Sequence, residues 1–241
     1  MELSELKAEI IKAFKGSEND LVEVLRLVEE DKSIFPFNEY EHLICNLMDR
    51  GGLSYASYID IRRDYISQNP NLWIYEISAP RGFGEGFAQT YVQGMSKNLH
   101  KAHKNKDEKY VGQYDLWFEG ITIEVKASRA VDANSDEPLY MKALSRNSTK
   151  SVLMNYQQLK PQCCDVFIWV AVFRDEIVLW IMHSSEVSNH THFSKGQHRG
   201  NSGNEGQLHV TRDNIKLFDK YELKTNDIEK AIRDAVKRGN E

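Results

Sequence analysis

The 241-residue chain lacks the features that mark membrane-bound, secreted or disulfide-stabilised proteins. No apolar run approaches the roughly 20 residues of a transmembrane helix, and the N-terminus is acidic and amphipathic rather than a basic signal sequence. Its three cysteines are odd in number, and Cys163 and Cys164 are adjacent, which favours neither a disulfide framework nor a C-x-x-C zinc site. We therefore expect a cytoplasmic protein without a membrane partner.

The chain also lacks the excess of positive charge that advertises nucleic-acid binding, because its formal net charge is −5. The acidity is uneven, since positions 1–50 hold 6 basic and 12 acidic residues and the rest of the chain holds 25 basic and 24 acidic residues. The segment 97–110 is locally basic. An acidic protein can contain a basic cleft, so the charge excludes no class of partner. No P-loop, Rossmann fingerprint or sustained repeat is present.

The segment 114–129 carries the clearest chemical pattern in the chain. Apolar and polar residues alternate from 121 to 126, which predicts a strand with Glu124 and Lys126 on one face. A turn at 119–120 can bring Asp115, on the preceding strand, to the same edge. Two carboxylates suit a hard cation such as Mg²⁺, and a neighbouring lysine can orient an attacking water or stabilise developing negative charge. These residue types are those of metal-assisted phosphodiester hydrolysis.

The arrangement of Asp115, eight intervening residues, and Glu124-Val125-Lys126 resembles the signature of the PD-(D/E)xK nucleases. That superfamily includes most type II restriction endonucleases, with some repair nucleases and junction resolvases. The likeness covers roughly residues 85–182, and a tyrosine stands where the signature has proline. It implies that Asp115 and Glu124 bind Mg²⁺ with the Val125 carbonyl, while Lys126 serves the attacking water. An edge hairpin with a charged, solvated face is the alternative interpretation.

The resemblance also implies a role for the helix that precedes the hairpin. In many enzymes of the superfamily, a glutamate on that helix joins the metal site or its surroundings. Glu85, near the N-terminus of a helix predicted at 87–99, is the candidate here. An acid favoured by the helix dipole explains the same residue equally well.

The expected fold class is α/β, with a restriction-endonuclease-like mixed central sheet flanked by helices. Periodic apolar residues predict four helices and then a strand at 73–77, so residues 1–78 are expected to form a mostly helical N-terminal subdomain. A winged-helix-like module is an alternative for the same region. Residues 79–241 would form the catalytic domain.

Four further elements are predicted within that domain. A helix is expected at 151–160, and apolar runs at 166–173 and 176–182 predict two adjacent strands around a turn. A helix at 228–238, capped by the preceding residues, has one apolar stripe and would pack on the core or on a partner subunit. The order of helix, hairpin, helix, strand and strand matches the core of the resembled superfamily.

Three polar segments are candidates for contact with DNA. They are the basic segment at 97–110, the turn-rich segment at 130–150 and the segment at 183–209, which holds five of the eight histidines. Surface or disordered loops explain them about equally well, and a zinc site at His190 and His192 lacks closing ligands at the usual spacing. The candidate DNA-binding residues are Lys101, Lys104, Ser128, Arg129, Lys142, Arg146, Lys195, Gln197, His198, Arg199 and Asn201.

The sequence therefore predicts a Mg²⁺-dependent type II restriction endonuclease that cuts double-stranded DNA and leaves 5′-phosphate ends. A homodimer is expected if the target is palindromic, because two-fold protein symmetry mirrors two-fold DNA symmetry. A repair nuclease or junction resolvase of the same fold is one alternative. A non-catalytic DNA-binding protein and a protein-interaction module built on the helical N-terminus are two others.

Overall fold

The structure is a computed structural model that describes residues 41–196 and 205–240. The described helices are α1 (Glu41–Asp49), α2 (Tyr55–Gln68), α3 (Leu72–Tyr75), a π-helix (Gly82–Gln89) that continues into α4 (Thr90–Gln93), α5 (Ser184–Ser188) and α6 (Ile228–Gly239), with 3₁₀ turns at Pro161–Cys163 and Ile215–Tyr221. The described strands are β1 (His100–Lys101), β2 (Leu116–Phe118), β3 (Ile121–Arg129), β4 (Val131–Asp132), β5 (Val152–Leu159), β6 (Val166–Val172), β7 (Ile177–His183), β8 (Phe193–Lys195) and β9 (Gly206–Thr211).

Strand β6 lies inside a five-stranded mixed sheet of order β1-β2-β3-β6-β7. All seven of its residues are buried, as expected for a continuous apolar run covered on both faces. It runs parallel to β3 and antiparallel to β7, so the strands predicted at 166–173 and 176–182 are confirmed as neighbours. The predicted hairpin is also confirmed, with Glu119 and Gly120 at the turn in left-handed conformations.

Two different layers cover the faces of this sheet. Ile168 and Val170 pack with apolar residues of α3, α4 and α6 on one face. Phe167 and Trp169 pack on the other face against a second, antiparallel sheet of order β4-β5-β9-β8. The chain is therefore a mixed α/β protein with a mixed central sheet flanked by helices. None of the described helices is long and apolar enough to cross a membrane.

The helix predicted at 151–160 is wrong, because this segment is strand β5. Val152, Met154 and Tyr156 alternate inward and are buried against the central sheet. A bulge after Tyr156 lets Leu159 also point inward, which breaks the strict alternation. Pairing with β9, about fifty residues further along the chain, decides the conformation.

The strand predicted at 73–77 is also wrong, because Leu72–Tyr75 forms the short helix α3. Tyr75 is buried, and its hydroxyl is directed at the carbonyls of Val172 (2.7 Å) and Ala130 (3.0 Å), which ties the helix to the central sheet. The strand that a winged-helix-like module would need is therefore not at this position.

The remaining helix predictions have mixed outcomes. The third and fourth N-terminal helices and the C-terminal helix are confirmed, and Ser54 and Asp227 cap α2 and α6. The helix predicted at 87–99 begins earlier, at Gly82, and its last regular turn ends at Gln93. The first two predicted helices lie outside the described residues.

The two predicted polar insertions contain regular structure. The segment 130–150 is mostly turns but includes β4. The segment 183–209 folds into α5, β8 and the start of β9, with residues 197–204 outside the described ranges.

Candidate active site

The hairpin places Asp115, Glu124 and Lys126 in one cleft. Asp115 directly precedes β2, and its backbone N–H donates to the carbonyl of Ile123 on β3 (2.9 Å). Its carboxylate Oδ2 accepts the backbone N–H of Val125 (2.8 Å). These two hydrogen bonds hold Asp115 against β3, so its position depends on the register of β2 and β3.

Glu124 and Lys126 lie side by side on β3. The Lys126 Nζ is 2.7 Å from the Glu124 Oε1, and their side chains are only 19% and 17% exposed. The two residues are neighbours because alternate residues of a strand share a face. The ammonium group therefore sits beside the second carboxylate at the wall of the cleft.

The Asp115 carboxyl is held in an environment that disfavours its charge. Burial is the larger cause, and the nearby Glu124 carboxylate adds to it, so that the pKa of Asp115 is raised to about 7. The N–H of Val125 and the charge of Lys126 act in the opposite direction. Two partly buried acids that repel one another form a site that a cation would stabilise.

Gln89 is a site residue that the sequence reasoning missed. Its Nε2 donates to the Asp115 Oδ1 at 2.7 Å, so both oxygens of this carboxylate are held. Gln89 lies on the π-helix four residues after Glu85, and this spacing was the available signal. Glu85 lines the same cleft, but its side chain is 58% exposed and lies 3.6 Å from Arg81.

The donor set of the cleft fits a hard, well-hydrated cation. In the described ranges, no group of three or more His, Cys, Asp or Glu side chains could hold a metal ion. On its hairpin side the cleft instead offers the carboxylates of Asp115 and Glu124, with Val125 and Gln89 beside them. Mg²⁺ commonly binds through one or two carboxylates and keeps several waters, whereas structural zinc takes four protein ligands. Asp115 and Glu124 thus suit Mg²⁺ better than zinc.

The predicted zinc alternative gains no support from the positions of the two histidines. The rings of His190 and His192 lie with centroids 5.8 Å apart, and His190 packs against Phe218. Burial lowers the pKa of His190. No acidic or cysteine ligand joins the pair among the residues that the structure covers.

The cleft has a volume of about 870 Å³ and is lined mainly by three elements. The π-helix, β3 and β5 supply most of its lining residues, and residues before the π-helix, with Val131 and Leu139, supply the rest. Both sheets and the helix layer therefore contribute to it, although the acids and the lysine come from one hairpin.

Two residues predicted to touch DNA, Ser128 and Arg129, make hydrogen bonds within the protein. Ser128 is buried, and its Oγ accepts the backbone N–H of Asn155 (2.9 Å). Arg129 lies 3.8 Å over the Phe83 ring and donates to the carbonyls of Ile74 and Ile77. Burial lowers the pKa of Arg129 to about 10. Both residues line the cleft, but their polar atoms are engaged within the protein.

The other predicted DNA-binding residues divide into engaged and exposed groups. Arg146 is paired with Glu222 and Glu176, and Lys142 donates to the carbonyl of Ser135 (3.4 Å). The exposed lysines are Lys101, Lys104 and Lys195, of which the first lies on β1 and the last on β8. The predicted residues outside the described ranges are Gln197, His198, Arg199 and Asn201.

A scan against protein-family models finds no match for this chain. A search of the curated proteins also finds no significant match.

Proposed function

We propose that this chain is a Mg²⁺-dependent endonuclease that cuts double-stranded DNA at specific sites, in the manner of type II restriction enzymes. The observation that carries the proposal is the convergence of Asp115, Glu124 and Lys126 in one cleft, with the lysine 2.7 Å from the glutamate. Carboxylates that can hold a divalent cation, with a lysine beside them, are residue types suited to metal-assisted phosphodiester hydrolysis.

Each residue of the site has a chemical task in this proposal. Asp115 and Glu124 would hold Mg²⁺ with the Val125 carbonyl. The ion supplies charge neutralisation at the scissile phosphate and a more acidic water. Lys126 orients the attacking water and stabilises negative charge that develops on the phosphate. Gln89 keeps the Asp115 carboxylate oriented through its 2.7 Å hydrogen bond.

The chemical change is hydrolysis of one phosphodiester bond. A water oxygen attacks phosphorus, the bond to the 3′ oxygen breaks, and that oxygen gains a proton while the water loses one. The products are a 5′-phosphate and a 3′-hydroxyl. Cleavage of both strands at a palindromic site would require two active sites, which a homodimer provides.

The test is incubation of the protein with long duplex DNA, in Mg²⁺ and in EDTA, followed by sizing and sequencing of the ends. Discrete, Mg²⁺-dependent fragments with 5′-phosphate ends are expected. Lys126→Ala should abolish them, whereas Lys224→Ala, at an exposed lysine outside the cleft, should not. Full cleavage by the Lys126→Ala variant would overturn this active site.

Three other outcomes of the same test identify the alternatives. A smear of fragments would indicate a nuclease without sequence preference. Cutting of branched DNA alone would indicate a junction resolvase. Intact DNA with salt-sensitive, metal-independent binding would indicate a DNA-binding protein that uses the fold only as a scaffold.

A further inference from the structure

Strand β5 extends directly from the catalytic site. Ser128 follows Lys126 by two residues on β3, and its Oγ accepts the backbone N–H of Asn155 on β5 (2.9 Å). Asn155, Gln157 and Gln158 line the cleft together with the catalytic residues. The exposed face of the second sheet is therefore continuous with the surface where the scissile phosphate would lie.

This face has an unusual chemical character for a solvated sheet. Neither β5 nor β9 contains an acidic residue, a lysine or an arginine. The exposed positions of β5 are amides instead, and His209 of β9 lies directly opposite Asn155. Amide side chains can also bind phosphate oxygens, but at the edges of bases they use their donor and acceptor together to read sequence.

A bulge in β5 increases the number of amides in the cleft. The register with β9 shifts between Tyr156 and Leu159, which are both buried, so Gln157 and Gln158 are both exposed. Gln158 has a φ of 57°, in the left-handed region. This conformation is energetically unfavourable for any residue other than glycine. Bulges beside active sites re-aim side chains, and here the strained residue presents an amide to the cleft.

We propose that Asn155, Gln157 and Gln158 form the base-reading edge of this protein, and that they select adenine. The inference rests on the proposed function for the identity of the ligand as duplex DNA. Asn and Gln bind adenine bidentately through N7 and the N6 amino group in the major groove. Strands β5 and β9 are the inner strands of the second sheet, so the groove would lie across the exposed face that carries these amides.

The surroundings of this edge support a duplex as the occupant. Lys195, on β8 at the border of the second sheet, is exposed and could contact a phosphate beside the groove. Lys195 pairs with Gly206 and Gly206 with Leu159, so this lysine lies at the Leu159 end of β5, and the amides share one cleft with the catalytic residues. A duplex seated on β5 would thus have its backbone next to Glu124 and Lys126 while its bases face the amides.

The test is selection of binding sites from a randomised DNA duplex library in Ca²⁺ buffer, with sequencing of the bound fraction. The wild-type protein should enrich a motif that contains adenine. Asn155→Ala and Gln157→Ala should each lower the preference at one adenine position by roughly tenfold, with affinity for mixed-sequence DNA retained. Asn147→Ala, at an exposed amide outside the cleft, is the matched control.

The Gln158→Gly variant separates base reading from folding. Glycine adopts a positive φ without strain, and this gain offsets the larger entropy of the unfolded glycine chain, so this variant should have a Tm close to that of the wild type. It should nevertheless lose the preference at one position. A loss of preference in an equally stable protein cannot result from unfolding.

The inference is overturned if the wild type enriches no motif, or if the three variants enrich the same motif as the wild type. This outcome is distinct from failure of the proposed function, because binding selection does not need cleavage. A protein that selects a motif through these residues but never cuts would keep the base-reading edge and lose the nuclease. A protein that cuts specific sites, with the same specificity in all three variants, would keep the nuclease and lose the base-reading edge.

Discussion

Replacement of Asp115 by asparagine should stabilise the metal-free protein, and by more at high pH than at low pH. The pKa of this carboxyl is raised from 3.8 to about 7 in the folded state, first by burial and then by Glu124. The folded state consequently binds more protons than the unfolded state between these values. The stability that protonation provides is fully present below pH 3.8 and is lost as the pH rises through about 7.

The magnitude follows from the difference between the two pKa values. At 1.36 kcal/mol for each pKa unit, the ionised carboxylate costs the folded state on the order of 4 kcal/mol at pH 8. Between pH 5 and pH 8 the wild type should lose about 2–3 kcal/mol that the Asp115→Asn variant does not lose. Asparagine can keep the local hydrogen bonds, because its Oδ1 can accept from Val125 and the Gln89 amide can rotate to accept from its Nδ2.

Urea denaturation in EDTA at pH 5 and pH 8 measures this difference. Asp60→Asn, at an exposed aspartate on α2, is the matched control and should show no comparable change. Mg²⁺ at pH 8 should stabilise the wild type but not the Asp115→Asn variant, because a ligand of the folded state raises its stability. A variant whose stability relative to the wild type is the same at both pH values would refute the reasoning.

Three further substitutions test the contacts that position the site. Gln89→Ala should lower kcat for DNA cleavage by roughly 10- to 100-fold, because the substitution removes the hydrogen bond that orients the Asp115 carboxylate. Gln93→Ala, on the same helical segment, is the control and should leave kcat unchanged. Equal rates for the Gln89→Ala variant and the wild type in steady-state assays would contradict this positioning role. Tyr75→Phe should cost about 1–3 kcal/mol of unfolding free energy in urea, because its hydroxyl is directed at two buried carbonyls, and a loss below about 0.5 kcal/mol would contradict that bond. Trp169→Ala should cost about 3–5 kcal/mol by the same assay, because this fully buried ring packs edge-on against Tyr156 at the junction of the two sheets.

The hairpin that carries Asp115, Glu124 and Lys126 was predictable because its signals are local. Glu124 and Lys126 are two residues apart on a strand, so their shared face follows from the period of β structure. The turn at 119–120 lies between Asp115 and these two residues. The position of Asp115 relative to them therefore depends only on this short hairpin. The apolar run of β6 also predicts its strand from local sequence, because a strand buried on both faces has no polar positions.

The errors occurred where long-range packing overrides local pattern. The segment that forms β5 has apolar residues at spacings compatible with a helix, and pairing with β9 makes it a strand. The segment that forms α3 contains aromatic and β-branched residues typical of strands, but the hydroxyl of Tyr75 is directed at the central sheet and the chain turns into a helix there.

Amino-acid order alone was enough to predict the hairpin that carries Asp115, Glu124 and Lys126, the turn between its strands and the buried strand β6, because the signal for each lies within its own residues. Long-range folding was needed to bring Gln89 to Asp115, to make Ser128 a link between two sheets, and to turn the amides of β5 into one wall of the cleft. Such contacts join residues that are 26 or more positions apart. No local periodicity encodes them, since they depend on how the layers pack.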